Sequence, residues 1–323
     1  MRPASCRRTK IPLSPSARRF CRALSFDDRF SADAASTKRY KLNSPRGFVP
    51  FQTIALWRFT LTRSVQARAF SILEDDEPHP LEVHNAGGKS DFFLICEHAG
   101  RLIPRAYGDM GLSAVDLERH IAWDIGAKQV AVALSALLDA PLFTQRYSRL
   151  VCDCNRRPDV ADFAPVRSED TTIPANVGIS DEERRARADA IFWPFHDAVS
   201  EALDRRAAAG RRTLLVTVHS FTPVFRGRSR PWEIGILYNR DRQFSPAIAE
   251  WLKANTDFCV GINEPYSVGD ETDYAIPVHG ERRGLPCAEF EIRNDLIRTE
   301  ETARTWAGVV ARAVQAVAPS LDG

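Results

Sequence analysis

From residue 91 onward the chain alternates apolar runs with amphipathic stretches. The first such run is Asp91-Phe-Phe-Leu-Ile-Cys-Glu-His-Ala-Gly-Arg101. Its Phe and Ile residues suit a strand buried on both faces, and the acid and histidine that end it would lie at the sheet edge, where open α/β folds bind ligands. Ser113 with Asp116 resembles a capping box and predicts a helical stretch, with apolar positions recurring through Ala133, Leu134, Leu137 and Leu138. Strands follow at about 141–145 and 149–153. Ser180 with Glu183 opens a second long helix from Asp181 to about Ala209, bent near Pro194 and ended by Gly210.

Thr213-Leu-Leu-Val-Thr-Val218 is the clearest buried strand of the chain, and it delivers His219 at its carboxyl end just as the first strand delivers His98. The remaining pattern predicts a strand at 233–238, a helix at 245–254, a strand at 286–292 and an amphipathic helix at 299–317. Residues 71–90 read as a polar connector, and 221–231 as a long functional loop carrying Arg226, Arg228 and Arg230. Strand and helix signals alternate to the end without a strong break. That predicts one α/β domain over 71–323, a mixed central sheet flanked by helices.

With 323 residues and 44% hydrophobic content, the chain can bury a substantial core. Its net charge of +2 conceals an asymmetry. Residues 1–70 hold 15 Lys or Arg against 3 Asp or Glu, which leaves 29 basic and 39 acidic residues in 71–323. A basic, Ser-rich, acid-poor leader thus precedes a mildly acidic body, a signature shared by organelle transit segments, disordered tails and translated upstream sequence. The body is not expected to bind nucleic acid. The leader's one apolar patch, Phe48 to Leu61, is broken by Arg58 and does not span a membrane. Seven cysteines at irregular spacing form no disulfide framework and read as reduced thiols of a cytoplasmic protein.

Candidate chemistry centres on the two strand-end histidines. Catalytic zinc needs about three nitrogen or carboxylate ligands and one open position. His98 and His219 supply two. Glu97 is adjacent to the first, but neighbouring strand residues point to opposite faces, so Asp124 in His120-Ile-Ala-Trp-Asp-Ile-Gly126 is the better third ligand, turned inward from a helix that crosses the strand ends. In Ala288-Glu-Phe-Glu-Ile292 two acids share one face of an apolar strand, where carboxylates are costly unless paired or functional. Glu291 is the candidate general base and Glu289 the alternate.

Arg149, Asp153 and Asn155 share strand parity, with Arg156 next in line. A guanidinium fork and an amide there could clamp a substrate carboxylate, while Asp153 could equally pair with an arginine. Arg149 or Arg293 could offset charge on a tetrahedral intermediate, and His279, expected in a turn, could orient substrate or donate a proton. Gly87-Gly-Lys-Ser90 is no P-loop, since it precedes its strand and Val83 stands where the first glycine belongs. The chain also lacks G-x-S-x-G, H-E-x-x-H and G-x-G-x-x-G.

Five ordered motifs, Cys-Glu-His-Ala-Gly, His-Ile-Ala-Trp-Asp-Ile-Gly-Ala, Ser-Arg-Leu-Val-Cys-Asp-Cys-Asn-Arg, Val-His-Ser-Phe and Glu-Ile-Arg-Asn-Asp-Leu-Ile, resemble those of the N-formylglutamate amidohydrolase family over roughly residues 75–317. The resemblance implies a phosphorylase/hydrolase-like, zinc-carboxypeptidase-like α/β fold. It also implies zinc-dependent hydrolysis of a small anionic N-acyl amino acid, N-formyl-L-glutamate foremost, to formate and the free amino acid. Carried over, His98, His219 and Asp124 hold the metal, Asn155-Arg156 resembles the pair that holds a terminal carboxylate, and Glu291 falls where zinc carboxypeptidases keep their general base. The motifs depart in two respects: Cys-Glu-His-Ala-Gly stands in place of Pro-His-Ser-Gly, and the metal segment lacks the H-x-x-E spacing of zinc carboxypeptidases, which leaves the third ligand open between Asp124 and Glu97.

Overall fold

Residues 71–322 are described by the structure, a computed structural model, and the leader expected over 1–70 lies outside them. Among the described residues seven strands build one mixed sheet, in the order Leu81–His84, Leu142–Gln145, Phe92–Cys96, Leu214–Phe221, Cys287–Arg293, Ile234–Leu237 and Val260–Ile262. Neighbours run parallel except where Leu81–His84 meets Leu142–Gln145 and where Cys287–Arg293 meets Ile234–Leu237.

Helices cover both faces, which is why the central strands are continuous apolar runs. Leu94, Val216, Val218, Phe290 and Ile292 pack against helices Ala127–Leu138, Phe244–Asn255 and Glu300–Val317. Phe93, Ile95, Leu215 and Cys287 face the opposite layer, with Phe192, Phe195 and Val199. Each fully buried Leu, Val or Phe contributes about 1.5–3 kcal/mol, so these two layers dominate the stability of the sheet. On the second face the apolar pattern gives way toward the carboxyl ends: Thr217, His219, Glu289 and Glu291 share parity with Leu215 and Cys287. The sheet thereby carries one polar, buried corner.

Three elements depart from the pattern-based expectation. The capping box at Ser113 opens only one helical turn, Ala114–Leu117, and the long helix begins afresh at Ala127. Gly126 at its N-cap adopts φ 83°, and the carbonyl of Ile297 occupies the space a Cβ there would need, so the chain turns sharply just after Asp124. Residues 149–153 are not a strand but a series of turns: Asp153 Oδ1 accepts the Asn155 backbone N–H (2.8 Å), a local bond that competes with a ladder. The long helix is split into Asp181–Arg187, a π-helical segment Ala188–Phe192 and Trp193–Ala208. The π segment ends two residues before Pro194, whose missing N–H interrupts the regular hydrogen-bond ladder.

Two short edge strands, Leu81–His84 and Val260–Ile262, lay in segments too polar or too brief to announce themselves. The final helix starts as expected, with Thr299 and Thr302 forming a reciprocal cap worth about 1 kcal/mol. No helix among the described residues is long and apolar enough to cross a membrane.

Candidate active site

The carboxyl ends of the two central strands bring His98 and His219 face to face. His219 lies within Leu214–Phe221, while His98 follows Phe92–Cys96 by two residues. Asp124 reaches them from the loop before Ala127–Leu138, not from a helix as expected. That loop is stapled across both strand ends: the Asp124 backbone N–H donates to the His98 carbonyl (3.0 Å), and Asp124 Oδ2 accepts from the Ser220 N–H (3.2 Å).

His219 Nδ1 stands 3.1 Å from His98 Nδ1 and 3.0 Å from Asp124 Oδ2, and His98 Nδ1 stands 3.4 Å from the same oxygen. All three residues are buried. Ligands bound tetrahedrally at zinc distances of 2.0–2.1 Å are separated from one another by about 3.3 Å, so the triangle has the dimensions of three corners of a zinc site. Two imidazole nitrogens and one carboxylate oxygen also form a donor set that a divalent cation accepts. The cluster could hold such an ion.

Each histidine is backed by a carboxylate. His98 Nε2 bonds Asp153 Oδ1 at 2.7 Å, and His219 Nε2 lies 3.1 Å from Glu97 Oε2. With its Nε2–H donating to Asp153, His98 keeps the Nδ1 lone pair turned to the cluster, the second-shell arrangement that orients metal-binding imidazoles. Arg149 ties the acids together, donating to Asp153 Oδ2 from Nε (3.0 Å) and Nη2 (2.6 Å) and to Asp124 Oδ1 from Nη1 (3.4 Å).

Burial works to raise the carboxyls of Asp124 and Asp153. For Asp124 the charges and hydrogen bonds of His98 and His219 win, and for Asp153 those of Arg149 and His98, so both stay well below the usual carboxylate range. Burial acts to lower His219, but Glu97 and Glu289 outweigh it and raise the imidazole well above its ordinary value. The corner holds Glu97, Asp124, Asp153, Glu289 and Glu291, all buried, a concentration of acidic side chains whose charge a divalent cation would offset. Asp153→Asn should weaken metal binding by about 10–100-fold, read by competition against a chromophoric chelator. Wild-type affinity in that variant would mean that Asp153 does not orient His98.

Glu291 pairs in register with His219 on the neighbouring strand, which sets the two side chains on one face. Its Oε2 is buried without a hydrogen-bond partner. Burial, reinforced by Asp124 and Glu289, pushes its carboxyl well above the ordinary range against the pull of His219 and Arg149. Glu289, two pairs further back, bonds the Thr217 hydroxyl (3.3 Å) and is raised to about 7, chiefly by burial.

Other expected site residues are engaged differently. Asn155 does not offer its amide to a substrate: Oδ1 accepts the backbone N–H of Tyr274 (2.9 Å) and Ala275 (3.1 Å), and Nδ2 donates to Asp273 (3.2 Å), so it ties down the 273–275 segment. Arg156 Nη1 bonds the Asn155 carbonyl (2.9 Å) and lies 3.6 Å from Asp273, with no partner for its other side-chain donors among the described residues. Arg149 is spent on two carboxylates and is not a free cation for a tetrahedral intermediate. Arg293 points along the same strand face as Glu291 but bonds Asp295 (2.8 Å) and the Trp232 carbonyl (3.4 Å).

His279 sits in a π-helical segment, Ala275–Gly280, and not in a turn. Its Nε2 bonds His196 Nδ1 (2.9 Å), and His196 Nε2 bonds the Cys154 carbonyl (2.7 Å). Burial lowers His279 to about 4, leaving a neutral imidazole that does not join the metal cluster. The residues missed by sequence reasoning are Glu97, as the partner of His219, and Tyr266, whose phenol bonds Arg230 at 2.9 Å. Strand parity turns Glu97 away from His98, but only the register of Phe92–Cys96 against Leu214–Phe221 shows that its face is the one carrying His219. Nothing in the sequence around Tyr266 marks it.

Comparisons with known proteins converge on this region. The profile of the N-formylglutamate amidohydrolase family matches residues 90–298, which contain every candidate residue above. The crystal structure of gene product Atu2144 from Agrobacterium tumefaciens is similar at 41% identity, with a TM-score of 0.76 over 78% of this chain and 100% of that one. A crystal structure of N-formylglutamate amidohydrolase from Ralstonia eutropha JMP134 shares the fold, at 16% identity and a TM-score of 0.55, over 75% of this chain and 100% of that one. No curated protein matches the chain.

Proposed function

The chain belongs to the N-formylglutamate amidohydrolase family, and on that premise we propose that it hydrolyses the amide bond of a small anionic N-acyl amino acid, N-formyl-L-glutamate foremost, to formate and the free amino acid. The observation that carries the reading is the convergence of His98, Asp124 and His219 beside a raised, unpartnered Glu291 carboxyl. A divalent metal held by those three residues, zinc by the character of two imidazoles and a carboxylate, supplies Lewis acidity toward the amide carbonyl and makes water a better nucleophile at neutral pH.

Glu291 takes the proton of the attacking water and returns it to the leaving amine as the C–N bond breaks. Arg156, with donors free beside Asp273, holds the substrate α-carboxylate, and Asn155 acts behind it by fixing the 273–275 segment. Arg149 serves by holding Asp124 and Asp153 in place, and Arg293 lies at the rim. Burial of His98, Asp124, His219 and Glu291 excludes bulk water and strengthens each of these interactions. The buried thiols Cys96, Cys152, Cys154 and Cys287 support a cytoplasmic setting.

The test is formate release from N-formyl-L-glutamate by purified protein, before and after chelation and zinc restoration, together with its metal content. The reading expects activity that follows the metal. Absence of turnover by zinc-loaded protein on a panel of formyl and acetyl amino acids would reject it, and turnover of the acetyl series alone would make the protein a deacylase of other acyl groups.

A further inference from the structure

Of the three arginines in the 226–230 segment, the fold buries one. Arg226 and Arg228 are exposed, whereas Arg230 is 9% exposed. Its guanidinium lies 4.5 Å from the ring centre of Phe225, 4.7 Å from that of Tyr266 and 5.9 Å from that of Phe221. Nη1 donates to the Tyr266 hydroxyl at 2.9 Å. No carboxylate pairs with Arg230 among the described residues, and none of its other side-chain N–H groups is either bonded there or sealed away from solvent. Aromatic faces compensate a cation less fully than a carboxylate does, so the fold maintains a nearly buried positive charge with open donors.

The placement of this charge gives it meaning. Phe221 follows His219 by two residues and so lies on the same strand face, about 7 Å further along. Tyr266 comes from the turn after Val260–Ile262, and the Glu264 carbonyl of that turn fills the space over Gly235, the residue paired with Glu291. The Tyr266 phenol is raised by burial and by the nearby Glu291 carboxyl. Arg230 thus borders the corner formed by His219 and Glu291, on the strand-end side, while Arg156 approaches from the 153–156 turns and Asp273.

We propose that Arg230, held between Phe221, Phe225 and Tyr266, is the specificity-determining residue that binds a second carboxylate, the one on the substrate side chain, and so selects dicarboxylic N-acyl amino acids over neutral ones. The proposal rests on the amidohydrolase reading for its substrate but can be tested apart from turnover. Two arginines then read two carboxylates, and the amide lies between them. The planar fork suits a carboxylate bidentately, and stacking on rings fixes its orientation before the ligand arrives.

Calorimetric titration with L-glutamate and with L-glutamine, which need no chemistry, reads this subsite in the zinc-loaded protein. Wild type should prefer glutamate. Arg230→Met should weaken glutamate binding by about 100-fold and leave glutamine within about threefold. Arg228→Met, altering the exposed part of the same segment, should change neither. If Arg230→Met does not fold, Arg230→Lys keeps the charge and stem and should weaken glutamate about tenfold through loss of the fork. In formate release the same variants should raise KM for N-formylglutamate far more than they lower kcat. Equal binding of both ligands by wild type, or equal losses for both in the variant, would overturn the proposal. A glutamate preference that depends on Arg230 in a protein releasing no formate would uphold the subsite and reject the amidohydrolase reading.

Discussion

His219→Ala should abolish metal retention and reduce formate release by more than about 10³-fold, because the residue is the hub of the corner. Its Nδ1 meets both His98 and Asp124, its Nε2 meets Glu97, and its neighbour across the sheet is Glu291. Removing one ligand of three leaves a two-point site that exchanges its metal rapidly. It also leaves Glu97 and Glu289 buried without the imidazole that offsets their charge, a loss on the order of 3–5 kcal/mol for a broken buried pair. The variant should therefore also melt at lower temperature, and circular dichroism at a temperature where it remains folded must accompany the assay. His98→Ala serves as the companion: it removes a ligand but leaves the other half of its buried pair, Asp153, still bonded to Arg149, so it should lose metal with a smaller loss of stability. Metal content by mass spectrometry near that of wild type, with formate release intact, would show that His219 is not a ligand.

The parts of this corner that were legible in the sequence are those carried on strands. The apolar runs that end in His98 and His219 are continuous, and strand parity alone puts Glu289 and Glu291 on one face, which the register then shares with His219. What failed was every inference that required a regular element where side chains compete with the backbone. Arg149, Asp153 and Asn155 do meet around the site, but through turns held by the Asp153 carboxylate and not through shared strand parity. The strand reading makes Asn155 a substrate ligand, whereas its Oδ1 is filled by two backbone N–H groups 119 and 120 residues away. Such long-range bonds leave no local periodicity. The pattern puts Asp124 in the right neighbourhood but on the wrong element, since the left-handed Gly126 that opens helix Ala127–Leu138 lets the preceding acid turn inward. The aromatic setting of Arg230 draws on residues from 221 to 266 and was invisible for the same reason.

Glu291→Gln should separate chemistry from metal binding. The substitution keeps shape and volume, leaves His98, Asp124 and His219 in place, and removes only the ability to accept a proton, so zinc content should stay near wild type while kcat falls by about 10²–10⁴-fold. The pH dependence gives a second, independent reading. Burial, Asp124 and Glu289 raise the Glu291 carboxyl well above its usual range. A base works only when ionised, so wild-type kcat/KM should fall as pH drops through that raised value, and the acid limb should lie nearer neutrality than an exposed glutamate would place it. In Glu291→Gln the residual rate should lack that limb. Glu289 is the control, because it too is raised, to about 7, and would impose a limb of its own if it were the base. It lies two residue pairs further from the strand end, bonded to Thr217, and Glu289→Gln should retain both the limb and most of the rate. If Glu289→Gln instead removes the limb while Glu291→Gln turns over normally, the two carboxylates exchange roles. If neither substitution alters the profile, the proton acceptor lies elsewhere in the corner and the geometry around Glu291 is purely electrostatic.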